Sequence, residues 1–421
     1  MKIKSERFVH YVTFKIIAFS PLNKGDHFLY KIWFYLYRTV SVINGLTVIS
    51  LAVKEIQFSI HTGVRFSDYS KSVVVLAVYI SLVLKTDYYY IFDKTHMELV
   101  EKVKKLFRTE SDTKLNERDL KDYIHSADFL SAFWVISTMI GTQIYMLIPV
   151  VLSGKWSLPL DIWYPFDEND KGLYVATYAF QIFTHNLLVF NFIITDMFFI
   201  TMSLITSSQF KLIVWEYEYM CYTALLDCGI PKSEVLAFKN DGDKRMRTTR
   251  KIQEIMQSES YARKLNGKFI DMIQFQSELA RFCDDLERFI SPVMLITILA
   301  TIFHATILAF TFISAETVSD LITSVSYVVL TLIHIFVTNF VGQQLINHSS
   351  QLNGSLYDCP WYLCNRKFLK LFKFVHLRSQ ECAYLTIGKF APVNVQTFMQ
   401  IIKSCVSYLT VLRCMDQKKA L

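Results

Sequence analysis

The chain closes on QTFMQIIKSCVSYLTVLRCM, residues 396–415. The stretch is apolar enough to enter a bilayer, yet it carries Gln400, Lys403, Ser404, Ser407, Tyr408 and Thr410. Gln400, Ser404, Ser407, Val411 and Met415 recur every three or four residues, which on a helix aligns them in one stripe. The stripe begins polar and ends apolar. Taken alone it has two readings. It hydrogen-bonds a neighbouring membrane helix, or several copies meet around water, with Val411 and Met415 forming a constriction that stops ions by dewetting.

Composition supplies the setting. With 52% hydrophobic and only 19% charged residues, and a positive mean hydropathy, the chain is too apolar for an ordinary soluble protein. A helix needs about 20 mostly apolar residues to cross a bilayer. Seven stretches meet that length, near 32–53, 71–92, 129–152, 173–202, 289–313, 321–346 and 391–413. They are continuous rather than alternating, which excludes the short alternating strands of a membrane barrel. The fold class is all-α, a polytopic membrane protein with seven transmembrane helices. Ala391, Pro392 and Val393 are expected to open the last span, because proline suits a first helical turn. The basic N-terminus (Lys2, Lys4, Arg7, Lys15) lacks a cleavage pattern, so the first span is expected to act as its own insertion signal.

Lys and Arg are retained on the cytoplasmic side. Alternate segments (1–31, 85–128, 208–288, 347–390) hold 34 of them, and the others hold eight. The split places the N-terminus inside and the C-terminus outside, the reverse of a G-protein-coupled receptor. The acceptor sites for N-linked sugar, Asn347 and Asn353, then face the cytosol. Of eight cysteines only Cys414 lies near the outer surface, so no extracellular disulfide forms within the chain. Cys359 and Cys364 have no partner pair at finger spacing and read as structural thiols. No cofactor, metal or nucleic-acid partner is expected, and no nucleophile motif marks an enzyme. No internal repeat suggests a transporter.

The fourth loop divides in two. Residues 240–251 are charged and turn-forming and read as a mobile linker. Beyond them Tyr261, Leu265, Phe269, Met272, Leu279, Phe282, Leu286 and Phe289 recur at helical spacing, one apolar face of a cytoplasmic helix running into the fifth span. Asp196 is the one acid within the fourth span. An intramembrane acid is a functional candidate, but its distance from Leu173 places it at the inner interface, where an ordinary surface role is expected. His185, His304 and His334 read as core histidines. In the third loop Trp156, Trp163 and Tyr164 suit the membrane surface. Asp161, Asp167, Glu168 and Asp170 read as surface polarity or, alternatively, an anionic vestibule for cations.

The stretch Tyr357 to Trp361, the basic helix after it (366–375), Ala391–Pro392–Val393, Thr397–Phe398, Ile401 to Ser404 and SYLTVLR (407–413) resembles the C-terminal signature of insect odorant receptors. Leu409 stands where that signature usually has an aromatic. The resemblance implies a ligand-gated, non-selective cation channel of four subunits, in which a tuning subunit pairs with a co-receptor in a heterotetramer within membrane lipid. The fourth loop here is shorter than the co-receptor's, which implies a tuning subunit. By this resemblance residues 1–207 hold the first four spans and the ligand bundle, 208–288 an anchor, 289–346 the fifth and sixth spans, 347–390 an anchor helix and 391–421 the pore helix. Gln400, Ser404, Ser407, Val411 and Met415 would line and gate the pore. A small volatile ligand would lie in the outer half of the bundle, among Tyr69, Val73, Tyr79, Ile140, Ile144, Leu147, Tyr178, Phe183, Phe310 and Tyr327. Gustatory receptors share the architecture with a different final signature.

Overall fold

A computed structural model describes residues 27–108, 121–152, 158–166, 171–241, 246–313 and 318–419. The long helices are α1 (Phe28–His61), α2 (Phe66–Ile91), α4 (Lys121–Leu152), α5 (Lys171–Asp227), α8 (Glu259–Ile313), α9 (Val318–Asp358) and α11 (Val395–Lys419). Shorter ones are α3 (Asp93–Leu106), α6 (Lys232–Asp241), α7 (Met246–Gln257) and α10 (Arg366–Arg378). Two short strands, β1 (Thr386–Ile387) and β2 (Ala391–Pro392), pair antiparallel just before α11. All seven spans therefore correspond to helices. Six are long and apolar enough to cross a membrane by their own composition. The seventh, α11, carries too much polar stripe to qualify that way.

In the membrane part apolar residues cover the outside as well as filling buried clusters, because hydrocarbon is the solvent. Along α4, Ser131, Trp134, Thr138 and Thr142 are buried, while Phe133, Ile136, Ile140, Ile144 and Leu147 are exposed on the opposite face. Polar groups inside then need partners, and most join helices. Tyr37 on α1 donates to Asn191 of α5 at 2.9 Å, and Asn191 donates to Ser41 at 2.6 Å. Ser70 of α2 meets Thr311 of α8 at 3.1 Å, and Ser131 of α4 meets Thr201 of α5 at 3.1 Å. Where α1 crosses α2, Gly45 is obligatory: a Cβ there would overlap Val83.

Beyond the spans α5 and α8 run on into a second bundle with an apolar interior. All eight residues of the apolar face expected on α8, from Tyr261 to Phe289, are buried. The helix is continuous from Glu259 to Ile313, about 80 Å at 1.5 Å per residue. Its partner α5 is buried nearly all round from Ile193 to Leu225, polar residues included, because neighbours enclose it. Phe269 packs on Phe368 of α10, ring centroids 4.8 Å apart. Cys221, Cys359 and Cys364 are buried together here as free thiols. Contact with the Cys359 and Cys364 thiols, then burial, pushes the Cys221 thiol well above its ordinary value, so all three act as packing groups.

Three expectations are corrected. The 240–251 stretch is not simply a linker: Met246–Gln257 forms α7, whose Ile252 and Met256 pack into the core of the helix extensions. These two, with Ile255 partly buried beside them, dock a short and otherwise largely polar helix. Ala391 and Pro392 do not open α11. They form β2, where a missing N–H is tolerated at an edge, and Asn394 caps the helix by accepting from Thr397 N at 2.8 Å. Lys85 is no loop cation. It lies within α2, 2% exposed at its side chain.

Candidate functional site

The spans enclose a cavity of about 80 Å³. The walls come from the apolar spans of five helices: Tyr79 to Lys85 of α2, Trp134 to Thr142 of α4, His185 to Phe192 of α5, Thr297 to His304 of α8 and Tyr327 to His334 of α9. The long α5 positions the floor. Its Asp196 accepts from Lys85 Nζ at 2.6 Å, and the other carboxylate oxygen lies 2.9 Å from His334 Nε2, a close contact without hydrogen-bond alignment. The three side chains are 2–9% exposed. Such an arrangement is stable only because each charge is matched where it is buried. Lys85 Nζ also sits 4.6 Å from the centre of the Phe192 ring, and Trp134 stacks on the His334 imidazole at 4.9 Å.

This overturns the expectation for Asp196. Counting rise from Leu173 correctly gave its height along the helix but not its surroundings: α2 and α9 close over it, and it holds them together. It is a structural ion pair at a cavity rather than an interfacial acid. His185, His304 and His334 are likewise core residues that line the same cavity.

Of the ten positions expected to form the ligand wall, Tyr79 and Tyr327 line the cavity. They also border a satellite space of about 20 Å³ toward Tyr145 and Leu160. Tyr69, Val73 and Phe310 pack near the α2–α8 contact: Tyr69 and Phe310 both meet the Phe66 ring, at 5.3 and 5.4 Å, and Val73 lies against Val74, Ile307 and Leu308. Tyr178 stacks on Tyr174 and donates to the Met146 carbonyl at 3.4 Å. Ile140, Ile144, Leu147 and Phe183 face outward, 42–56% exposed. They do not line the cavity. Residues missed in the sequence, Lys85, Trp134, Thr138 and Thr142, share a signal. They are the polar or amphipathic interruptions in apolar spans.

The third loop covers the bundle. Leu160 and Ile162 are buried, and the Gln181 side chain binds the Leu160 backbone N–H at 2.9 Å and its carbonyl at 3.0 Å. Trp163 is half-buried and stacks against Lys54, whose Nζ is 4.8 Å from the ring centre. Trp156, Asp167, Glu168 and Asp170 lie outside the described residues.

The closing helix docks by one face only. Phe398 lies edge-on against Phe336 of α9, Ile401 is buried, and Cys405 reaches the Ile302 carbonyl of α8. Gln400, Ser407 and Val411 are on the free face, Val411 54% exposed, and Ser404 is at its edge, donating to the Gln400 carbonyl. The Met415 side chain lies outside the described residues. The segment before α11 is clasped to the bundle: Gly388 N donates to the Ser291 carbonyl at 3.0 Å, and Lys389 pairs with Glu287 of α8. Gly342 of α9 leaves room for the Val393 carbonyl, which a Cβ would overlap.

A polytopic helical membrane protein with a small polar-floored cavity and one half-docked polar helix is the class these features define. The family described as 7tm Odorant receptor matches residues 65–406, and the chain belongs to it. It is 21% identical to odorant receptor 83a of Drosophila melanogaster over 302 residues, 68% of this chain and 66% of the relative. It is 23% identical to odorant receptor 22c of the same species over 342 residues, 79% of this chain and 78% of the relative. The match to receptor 83a thus stops just short of two thirds of its length. The fold is similar to that of the olfactory receptor OR5 from Machilis hrabei, with TM-score 0.76 at 12% identity over 97% of each chain. It is similar also to the same receptor in complex with eugenol, with TM-score 0.73 at 13% identity, covering 96% of this chain and 97% of that one. The family is one of receptors rather than enzymes.

Proposed function

We propose that this odorant receptor is a tuning subunit of an odorant-gated, non-selective cation channel. A small volatile compound enters the cavity bounded by Tyr79, Trp134 and Tyr327. Four subunits, this chain and a co-receptor, surround a pore bordered by the free face of α11. Gln400, Ser404 and Ser407 wet the conduit, and Val411 with Met415 closes it. The N-terminus is cytoplasmic and the C-terminus extracellular, in the plasma membrane of a sensory dendrite.

One observation carries this reading. A helix used only for packing would turn its polar stripe toward a neighbour, where lipid cannot hydrate it. On α11 the apolar residues Phe398 and Ile401 make the contact, and Gln400 and Ser407 are left without cover from this chain. Water around a shared axis satisfies them. The OR5 complex with eugenol supports a volatile ligand for this chain. Ligand binding then shifts the balance between closed and open bundles, transmitted through the clasp of Lys389 and Glu287 that ties α11 to α8.

Whole-cell recording with and without a co-receptor, against a panel of volatiles, tests it. Currents that need both subunits and a volatile are expected. Responses that persist without any co-receptor, or that require a G protein, would contradict it.

A further inference from the structure

We infer that the cavity selects small neutral compounds bearing a hydrogen-bond-accepting oxygen, above all ketones, aldehydes and esters, and that Trp134 and Tyr79 supply the donors that read it. The inference rests on the odorant-binding reading above and adds the chemical class.

It begins from where the hydrogens around the cavity go. Thr142 donates to the Thr138 carbonyl at 2.9 Å, Thr297 to Val293 at 2.8 Å, Thr301 to Thr297 at 2.6 Å and Ser81 to Val78 at 2.8 Å. These hydroxyls are committed to their own helices. Oδ1 of Asp196 is committed to Lys85, and its Oδ2 faces His334 Nε2 at 2.9 Å. By contrast, the Tyr79 hydroxyl, the Trp134 indole N–H and the Thr138 hydroxyl are buried without any partner, and so is Nε2 of His185. Tyr79 is 3% exposed and Trp134 1%. Buried polar groups are nearly always paired, and several orphans around one cavity mark a place where the partner comes from outside the chain.

The indole N–H decides the sign, because it donates and never accepts. Its partner must carry a lone pair. Charge decides the rest. Lys85 and Asp196 neutralise each other at 2.6 Å, so a protonated amine finds no unmatched anion and a carboxylate finds no unmatched cation. Either would bring an uncompensated charge into the bundle. A hydrocarbon of the same shape would fill the space but leave the donors unpaired. A site built around a hydrogen bond discriminates against the analogue that lacks it. The volume, about 80 Å³, is well below the roughly 300 Å³ at which drug-sized pockets begin, so the compound is small.

The test uses one short carbon skeleton carried as alkane, ketone, primary amine and carboxylic acid, applied to cells expressing the receptor with a co-receptor. The ketone is expected to evoke half-maximal current at a concentration about 10- to 100-fold below the alkane, the span of one unmade buried hydrogen bond. Amine and acid are expected to be weaker than the ketone. Trp134→Phe removes the donor and keeps an aromatic ring, and Tyr79→Phe does the same with less change of shape. Each is expected to weaken the ketone about tenfold and the alkane by clearly less, and surface labelling of intact cells reports that the variant is folded and at the surface. Equal potency of alkane and ketone, preference for amine or acid, or variants that weaken alkane and ketone alike would overturn the assignment of donors while leaving the channel reading intact. Silence to every compound with both subunits at the surface would overturn the channel reading and this inference with it.

Discussion

The membrane bundle and the bundle of helix extensions share two long helices, α5 and α8, yet they follow different rules. In α8, Phe269, Leu279 and Leu286 are buried below the membrane among charged surface residues. In the same helix, Leu299 and Phe303 are 60% and 50% exposed, while Thr297 and Thr301 are buried. The cause is the surrounding solvent. In water, burying apolar area stabilises by roughly 25 cal/mol per Å²; in lipid that gain vanishes, and what holds helices together is close packing and hydrogen bonds. Polar interior space is therefore natural to the membrane half, and an apolar core to the helix extensions.

The largest expected effects, about 3–5 kcal/mol each, come from violating each half's own rule. Phe269→Ala opens a cavity at a fully buried position of the dry core. Asp196→Leu leaves the Lys85 ammonium buried and unmatched. Denaturation of detergent-solubilised receptor reads both. Adding Lys85→Met to Asp196→Leu is expected to recover most of the second loss, whereas no single change elsewhere in the membrane half rescues Phe269→Ala. Loss of the same size in the double variant would show that the charges do more than balance each other. A smaller effect, about 0.6–1.7 kcal/mol, is expected for Tyr37→Phe, which removes one interhelical hydrogen bond. Smaller still is Ile140→Ala on the lipid face, within about 0.5 kcal/mol. A cost near that of Phe269→Ala would mean that this face is covered by protein. Least of all, the buried Cys221, Cys359 and Cys364 thiols should resist alkylation while the fold is intact, because no reagent reaches them, and Cys221 is in addition held protonated by contact with the other two thiols and by burial. Rapid labelling in the folded receptor would contradict a closed core in the helix extensions.

The comparison also explains what the sequence made legible. Span lengths and the helical repeat of Tyr261 to Phe289 were readable, since hydropathy and periodicity are local and both solvents respect them. The polar stripe of α11 was readable for the same reason. The resemblance gives the outer half of the bundle but not the rotation of each helix, so Ile140, Ile144, Leu147 and Phe183 are exposed while Trp134, Thr138 and Thr142 of the same spans line the cavity. The Lys85–Asp196 pair joins residues 111 positions apart; only the packing of α2 on α5 shows that a residue counted as a loop cation meets the acid. Pro392 was misplaced because proline suits both a first helical turn and a strand edge, and the β1–β2 pairing decides between them.

The most direct measurement is thiol accessibility along α11. Gln400, Ser404, Ser407 and Val411 are replaced singly by cysteine in a Cys414→Ser background, with the co-receptor present, and a membrane-impermeant thiol reagent is applied from outside during odorant activation. Progressive block at Ser407→Cys and Val411→Cys, faster with odorant than without, is the predicted result. Undiminished current at all four positions after reagent treatment would contradict a pore bordered by this helix.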